Sequence, residues 1–573
     1  MCAGRYDPTE FGPVGSGKMI DRRLFLGGAA SMLASRACAA AGSLANRPLD
    51  VAYINCRVWT GRGRTPITDA IGTVGSYIAV LGGGAVRART TRQTQMIDLQ
   101  GAFVLPGLTD CHTHFSMASF RLAQLELTGA STPAEFTSQI GKSARALMAG
   151  EWLQGGGWDA DRWGGNLPTA AWVDAVTPNT PVALYRYDLH ILLLNSVAMK
   201  LVGLNANSPD IAGGVIVRDA NGLPTGILKD AAKDFYLARI PRPTEAQTDA
   251  AVKKGIQYGL SKGITQVHCT EITWDTHHSL RRLRARGEPG MRFYSYNPLK
   301  DWEQTAKLVR DEGRGDDWVR WGACKTVFDG SLGSRTALFY EHYLDDPTTR
   351  GIIVTKPSDL REWMAGADRA GLQVAAHAIG DEANDTVLDT MAELARTLGP
   401  RDRRFRIEHA QSLSKAAIPR FAKQGVIASV QPYHAVDDGR WAVKRIGEER
   451  LTRTYAFHDL IASGAHVCMG SDWPVAPLDP LTGLKAAVLR ETLDGKNPGG
   501  WFPNQRVSLM QALAGYTREA AYAGFTENRT GAIAPSCLAD LVVMDRDLFA
   551  IDPETITDAK VLRTIVGGVQ RFG

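Results

Sequence analysis

The sequence predicts an α/β protein: a (β/α)8 TIM-like barrel with an inserted subdomain and a small β-sandwich domain formed from both termini. Three observations carry this expectation. Eight apolar, strand-like runs alternate with helical segments through the middle of the chain, the pattern of a parallel sheet wrapped by helices. Residues able to bind metal stand at or near the carboxyl ends of several of those runs, the face on which such barrels place their chemistry. Short strand-like runs bounded by glycines recur at the two ends of the chain, and chain ends often lie close together.

From the amino terminus, residues 1–41 read as an address. Asp21-Arg22-Arg23-Leu24-Phe25-Leu26 precedes an Ala- and Leu-rich stretch to Ala34 and small-residue steps at Ala37-Cys38-Ala39 and Ala39-Ala40-Ala41. This arrangement resembles a twin-arginine signal peptide. It implies the twin-arginine export machinery as a partner and a periplasmic or secreted product. The apolar stretch is too short for a permanent membrane anchor, and Met19 is an alternative start. Residues 43–104 plus 530–573 are expected to build the composite β domain, from strands at 51–59, 77–81, 102–105, 539–545 and 561–566. Residues 105–529 are expected to form the barrel, with strands at 105–110, 264–269, 291–296, 322–328, 372–377, 405–409, 426–431 and 465–470. The gap after the first of these is too long for one helix and implies an insertion at about 120–235, with a Trp-rich stretch around Trp158.

Composition narrows the function. Apolar residues at 44% and charged residues at 22% are ordinary globular values. A net charge of +5 without a basic block implies no nucleic-acid partner. The eight cysteines have no Cys-x-x-Cys spacing and several lie in apolar runs, which argues against a disulfide framework.

Six residues concentrate the chemistry: His112, His114, Lys325, His377, His409 and Asp472. Side chains two apart on a strand face one side, so His112 and His114 can share a metal. Singly, a buried histidine bonded to backbone or a helix-capping aspartate is the commoner explanation. Together on one rim they are hard to explain as structure, because each would need its own partner. Lys325 lies inside the apolar run Trp321-Gly322-Ala323-Cys324-Lys325-Thr326-Val327-Phe328, where a charged ammonium is costly. As a carbamate formed with carbon dioxide it would offer two oxygens, able to bridge two metals.

The chain resembles the amidohydrolase superfamily, within it the amidohydrolase family 3 branch that includes N-substituted formamide deformylases. The stretches that carry the resemblance include Leu105-Pro106-Gly107-Leu108-Thr109-Asp110-Cys111-His112-Thr113-His114, Gly157-Trp158-Asp159 and Asp329-Gly330-Ser331-Leu332-Gly333-Ser334-Arg335. They continue with Ala376-His377-Ala378-Ile379-Gly380-Asp381, Arg406-Ile407-Glu408-His409-Ala410-Gln411 and Gly470-Ser471-Asp472-Trp473-Pro474. Leu189-His190-Ile191 departs from the branch, which more often has a small or polar residue before that histidine. The resemblance implies that His112, His114 and Asp472 hold one divalent ion, that His377 and His409 hold a second, and that carboxylated Lys325 bridges them. Zinc is the default for such donors, with one or two ions per chain. Asp472 is then the expected proton shuttle.

Trp158, His190, Arg335, Tyr433 and His434 are the candidates for binding a small-molecule substrate, with Arg335 suited to a carboxylate. Asp381 and Glu408 are expected to support structure or orient ligands. The expected activity is hydrolysis of a carbon–nitrogen bond in an N-acyl, N-formyl or cyclic amide rather than a peptide. The alternatives are the same site acting on an ester, a carbamate or as a deaminase, or a non-catalytic metal-bound binding or regulatory protein. Asp472 argues against the last, since a binding protein needs no proton shuttle.

Overall fold

A computed structural model describes residues 44, 46–62, 68–186, 191–270 and 273–573. The signal-like segment 1–41 and His190 lie outside the described residues. The central sheet has eight parallel strands: β1 Leu108–Thr113, β2 Ile264–Cys269, β3 Arg292–Pro298, β4 Val319–Val327, β5 Gln373–Ala378, β6 Arg406–His409, β7 Ile427–Val430 and β8 Val467–Met469. Each pairs with its sequence neighbour, as a (β/α)8 barrel requires.

The seam between β1 and β8 closes through backbone bonds just beyond the strand ends. Asp472 N donates to the His112 carbonyl at 2.8 Å and His114 N donates to the Trp473 carbonyl at 2.9 Å. Thr113 and Trp473 form a parallel bridge. Beneath them the buried Asp110 carboxylate accepts from His112 N at 3.0 Å and from Ser471 N at 3.0 and 3.1 Å.

The first predicted strand, 105–110, is corrected: the structure divides it between two sheets. Phe103–Pro106 pairs antiparallel with Leu541–Met544, while β1 starts at Leu108. Gly107 makes the step. A Cβ there would meet Thr265 Oγ1 at 2.2 Å, and its amide donates to the Asp540 carbonyl at 2.8 Å. No side chain fits between the sheets at this point.

A five-stranded sheet joins the two ends of the chain, in the order Arg57–Val58, Phe103–Pro106, Leu541–Met544, Val561–Val566 and Val569–Phe572. A four-stranded sheet, in the order Tyr77–Leu81, Ile71–Val74, Val51–Ile54 and Gln95–Asp98, packs against it. Tyr53, Ile71 and Ile78 from one sheet share a core with Val104, Leu541, Val543 and Ile565 from the other. Between β1 and β2 a six-stranded sheet runs Gly214–Arg218, Pro224–Asp230, Ile191–Leu194, Val182–Arg186, Leu153–Trp158 and Leu125–Glu126. The helices flanking this excursion, Phe115–Ala123 and Glu245–Ser261, pack on each other so closely that a Cβ on Gly255 would meet Ser119 Oγ at 2.0 Å. The excursion therefore leaves and re-enters the barrel at one place.

Six cysteines, Cys56, Cys111, Cys269, Cys324, Cys468 and Cys537, are buried free thiols. Among the described residues no helix is long and apolar enough to cross a membrane.

The terminal sheet is tied to the barrel by a buried fork: Arg292 on β3 donates to Asp540 at 2.7 and 2.9 Å, and Gly567 N donates to the same carboxylate at 2.8 Å. Replacing Asp540 by Ala leaves Arg292 buried without a counter-ion, so urea titration is expected to show a loss of about 3–5 kcal/mol. Lys307→Ala, which removes an exposed pair with Asp311, should leave the unfolding midpoint in place.

Candidate metal centre

The strand ends of β1, β4, β5 and β6 and the turn after β8 bring the six candidate ligands together. His112 Nε2 and His114 Nε2 lie 3.4 and 3.1 Å from Asp472 Oδ1. Lys325 Nζ lies 3.4 Å from His112 Nε2. The His409 ring is 4.9 Å from the His112 ring and 4.4 Å from the His377 ring, centre to centre. One donor atom each from His112, His409 and Asp472 fall within 4.8 Å of one another. His114 is no longer on the strand; it is the residue before the helix Phe115–Ala123, yet it turns its ring to the same carboxylate. His409 and Asp472 take left-handed backbone angles, φ +74° and +63°. Such angles cost a non-glycine residue on the order of 1–3 kcal/mol and persist where the surroundings over-determine them.

Three of the four imidazoles have one nitrogen tied to an oxygen acceptor. His112 Nδ1 is 2.7 Å from Glu408 Oε2, His409 Nδ1 is 2.8 Å from Gln431 Oε1, and His377 Nε2 is 3.1 Å from the Gly330 carbonyl. Donation through those nitrogens leaves His112 Nε2, His409 Nε2 and His377 Nδ1 as lone pairs, the arrangement that orients histidines toward a metal. The Glu408 carboxylate is itself held by Arg406, whose Nε is 2.9 Å from Oε1. Arg406 is fully buried inside the barrel and also donates to the Cys111 carbonyl at 3.0 Å and to Ser429 Oγ at 2.8 Å. Its Nη1 lies 2.8 Å from His268 Nδ1.

Burial sets the charge states. It pushes His112 down to about 4 and His377 down to about 3, each reinforced by the neighbouring Lys325, and it holds His409 well below the usual imidazole range with help from His377 and His112. All three are neutral near pH 7 and able to coordinate. Burial would raise the Asp472 carboxyl, but His112, His114 and His409 outweigh it and hold the group well below the usual carboxylate range. Glu408 follows the same logic: burial raises it, and Arg406 and His112 pull it lower still. The Lys325 ammonium is pushed down by burial, against the opposing pull of Glu408 and Asp472. Asp472 Oδ1 makes no well-aligned hydrogen bond although it is buried. The imidazole nitrogens that converge on that oxygen fit a divalent cation by donor type.

The substrate candidates separate. His434, on the helix Pro432–Asp438, lies beside the cluster, with Nε2 3.9 Å from Asp472 Oδ2 and its ring nearly parallel to that of His409 at 6.2 Å. Tyr433 precedes it and is half-buried, its phenol raised by burial and then by Asp437. Trp158 is corrected: it is wholly buried in the core of the inserted sheet, against Phe136, with its indole donating to the Leu184 carbonyl at 3.0 Å. Arg335 forks onto Asp345, at 3.1 and 2.9 Å. Asp381 accepts from Tyr340 N at 3.1 Å and supports a loop.

Sequence reasoning passed over Asp110, Arg406, Gln431 and the Gly330 carbonyl as site-organising groups. Asp110 and Arg406 each stand two residues before a residue of the site on the same strand, and that spacing was the available signal.

Comparison with known proteins agrees with this geometry. The sequence profile of the amidohydrolase family matches residues 95–572. Protein LONG AFTER FAR-RED 3 of Arabidopsis thaliana is 35% identical over 539 residues, 91% of each chain. The N-substituted formamide deformylase of Arthrobacter pascens is 29% identical over 91% of this chain and 98% of its own. An uncharacterized metal-dependent hydrolase from Pyrococcus furiosus superposes with a TM-score of 0.74 at 28% identity, covering 87% of this chain and 99% of that one.

Glu408→Gln removes the carboxylate that turns His112 and leaves Arg406 without its ion pair. Metal affinity, measured by competition with a chromophoric zinc chelator, is expected to fall about 10–100-fold.

Proposed function

The chain belongs to the amidohydrolase family, and from that premise we propose that this metal-dependent hydrolase cleaves a carbon–nitrogen bond outside peptides, in an N-acyl, N-formyl or cyclic amide. The observation that carries the reading is the cluster of four imidazoles, three of them steered by an oxygen acceptor, gathered with an Asp472 carboxylate that has one unaligned buried oxygen. The similarity to a formamide deformylase across 91% of the chain supports the bond type.

His112, His114 and Asp472 would hold one divalent ion, His377 and His409 would hold a second, and Lys325, if carboxylated, would supply anionic oxygens to them. Zinc is the default ion for these donors. Such an ion lowers the pKa of water toward neutrality and polarises a carbonyl oxygen. The chain's own part is proton handling and orientation. Asp472 takes the proton of the attacking water and passes it to the departing nitrogen, which as an amide anion is otherwise a very poor leaving group. Glu408, Gln431 and the Gly330 carbonyl keep three imidazoles turned toward the site. The Arg22-Arg23 segment supports a periplasmic or secreted location for this activity.

The test is a panel of formanilides, N-acyl amines, lactams and matched esters, assayed on zinc-loaded protein with amine and acid release followed separately. Amide turnover should dominate, and Asp472→Asn, compared with wild type at matched zinc occupancy, should lower kcat roughly a hundredfold or more with KM nearly kept. Exclusive ester turnover, or an Asp472→Asn rate equal to wild type, rejects the assignment.

Lys325→Ala should bind less metal, because two neighbouring cations without a bridging anion repel each other. Formate or acetate should restore part of its metal content and activity by entering the vacated space. A variant that keeps full metal and activity without added acid would show that Lys325 is no bridge.

A further inference from the structure

Asp472 presents its two oxygens to different neighbours. Oδ1 faces His112 and His114, and Oδ2 faces His434. At 3.9 Å, His434 Nε2 is too far from Oδ2 for a hydrogen bond, whose usual length is about 2.7–3.2 Å. The nitrogen is nonetheless buried and makes no hydrogen bond among the described residues. A buried polar atom without a partner at the edge of a reaction site calls for a ligand.

Its position is fixed from both ends of a short helix. His434 N lies over the Gln431 carbonyl at 3.2 Å, and Gln431 is the residue that steers His409. One turn later Asp438 is held by the Tyr455 hydroxyl and by Gln411 Nε2 at 3.2 Å, and Gln411 stands two residues beyond His409. The backbone that carries His434 is therefore tied to the loops that carry the site.

We propose that His434 is a catalytic residue that donates a hydrogen bond from Nε2 to the carbonyl oxygen of the substrate as that oxygen gains charge. The inference rests on the amide-hydrolysis reading. If Asp472 moves the proton, the reacting carbon must lie within reach of its oxygens, and the side at Oδ2 is bordered by His434 Nε2. When the water oxygen bonds to that carbon, the C=O π pair moves onto oxygen, and the His434 N–H stabilises it. Collapse returns the pair, breaks the C–N bond, and the proton held by Asp472 leaves with nitrogen. The His434 proton stays on its ring throughout. A donor aimed at developing charge contributes chiefly to kcat, about 10²–10³-fold where one donor is removed from such a site.

The experiment compares zinc-loaded wild type, His434→Phe and His434→Gln, with metal content by atomic emission and folding by circular dichroism. Two readouts are taken: p-nitroformanilide hydrolysis, and binding of phenylphosphonate, a tetrahedral anion, by titration calorimetry. His434→Phe should lose about a hundredfold in kcat with KM within a few-fold, bind phenylphosphonate at least tenfold more weakly, and keep its metal. His434→Gln, which retains an N–H donor, should recover part of both losses. Equal kcat and equal phenylphosphonate binding in wild type and His434→Phe overturn the inference, as does metal loss in His434→Gln, which would make the residue a support of the ion. If wild type cleaves no amide yet its phenylphosphonate binding depends on His434, the donor role stands and the reaction assignment falls. If wild type cleaves amides and neither variant differs from it, the reverse holds.

Discussion

The hydrogen-bonded seam between β1 and the turn after β8 is the constraint on which the rest of the molecule depends. His112 and Asp472 are 360 positions apart in the chain, yet the amide of one donates to the carbonyl of the other. The bonds that close the barrel therefore also set His112 and His114 beside Asp472. Asp110 makes the coupling tighter, because its single buried carboxylate accepts from the amides of His112 and Ser471 on the two sides of the seam. Burial pushes that carboxyl up to about 7, against the lowering effect of the same bonds.

The interior of the barrel is polar where most barrels are filled with branched apolar residues. Arg406, Glu408, His268, Tyr294, Tyr296 and Gln373 are all buried there. Desolvating a buried ion pair costs several kcal/mol per ion, so the Arg406–Glu408 pair is weak as a source of stability. Its consequence is directional. Arg406 fixes Glu408, Glu408 fixes the His112 ring, and the ring's remaining lone pair is delivered to the rim. The left-handed backbone at His409 and Asp472 has the same character, local strain held in place by a surrounding network.

The excursion between β1 and β2 enters and leaves through two helices in close contact, so a whole sheet is added without altering barrel closure. It keeps its own core, to which Trp158 belongs. The terminal sheet is bound differently, by the Arg292–Asp540 fork and by the step at Gly107 that runs straight into β1. The terminal sheet is therefore continuous in the chain with the strand that carries His112.

By itself the sequence determined the fold class, all eight barrel strands to within a few residues, and the six residues that meet on the rim. Apolar periodicity and the placement of His and Asp at strand ends are local signals, and local signals survive in one dimension. It also marked Glu408 as an orienting group and singled out His434, which lies beside Asp472. What tertiary structure alone decided is how side chains are spent. Trp158 and Arg335 have residue types suited to a ligand, but burial against Phe136 and a fork to Asp345 consume them. The split of 105–110 at Gly107 depends on Thr265, more than 150 residues away, and the partners of His377 and His409 are a loop carbonyl and a residue of the next strand end. Each of these is a question of which polar group reaches which, and only chain closure in three dimensions answers it.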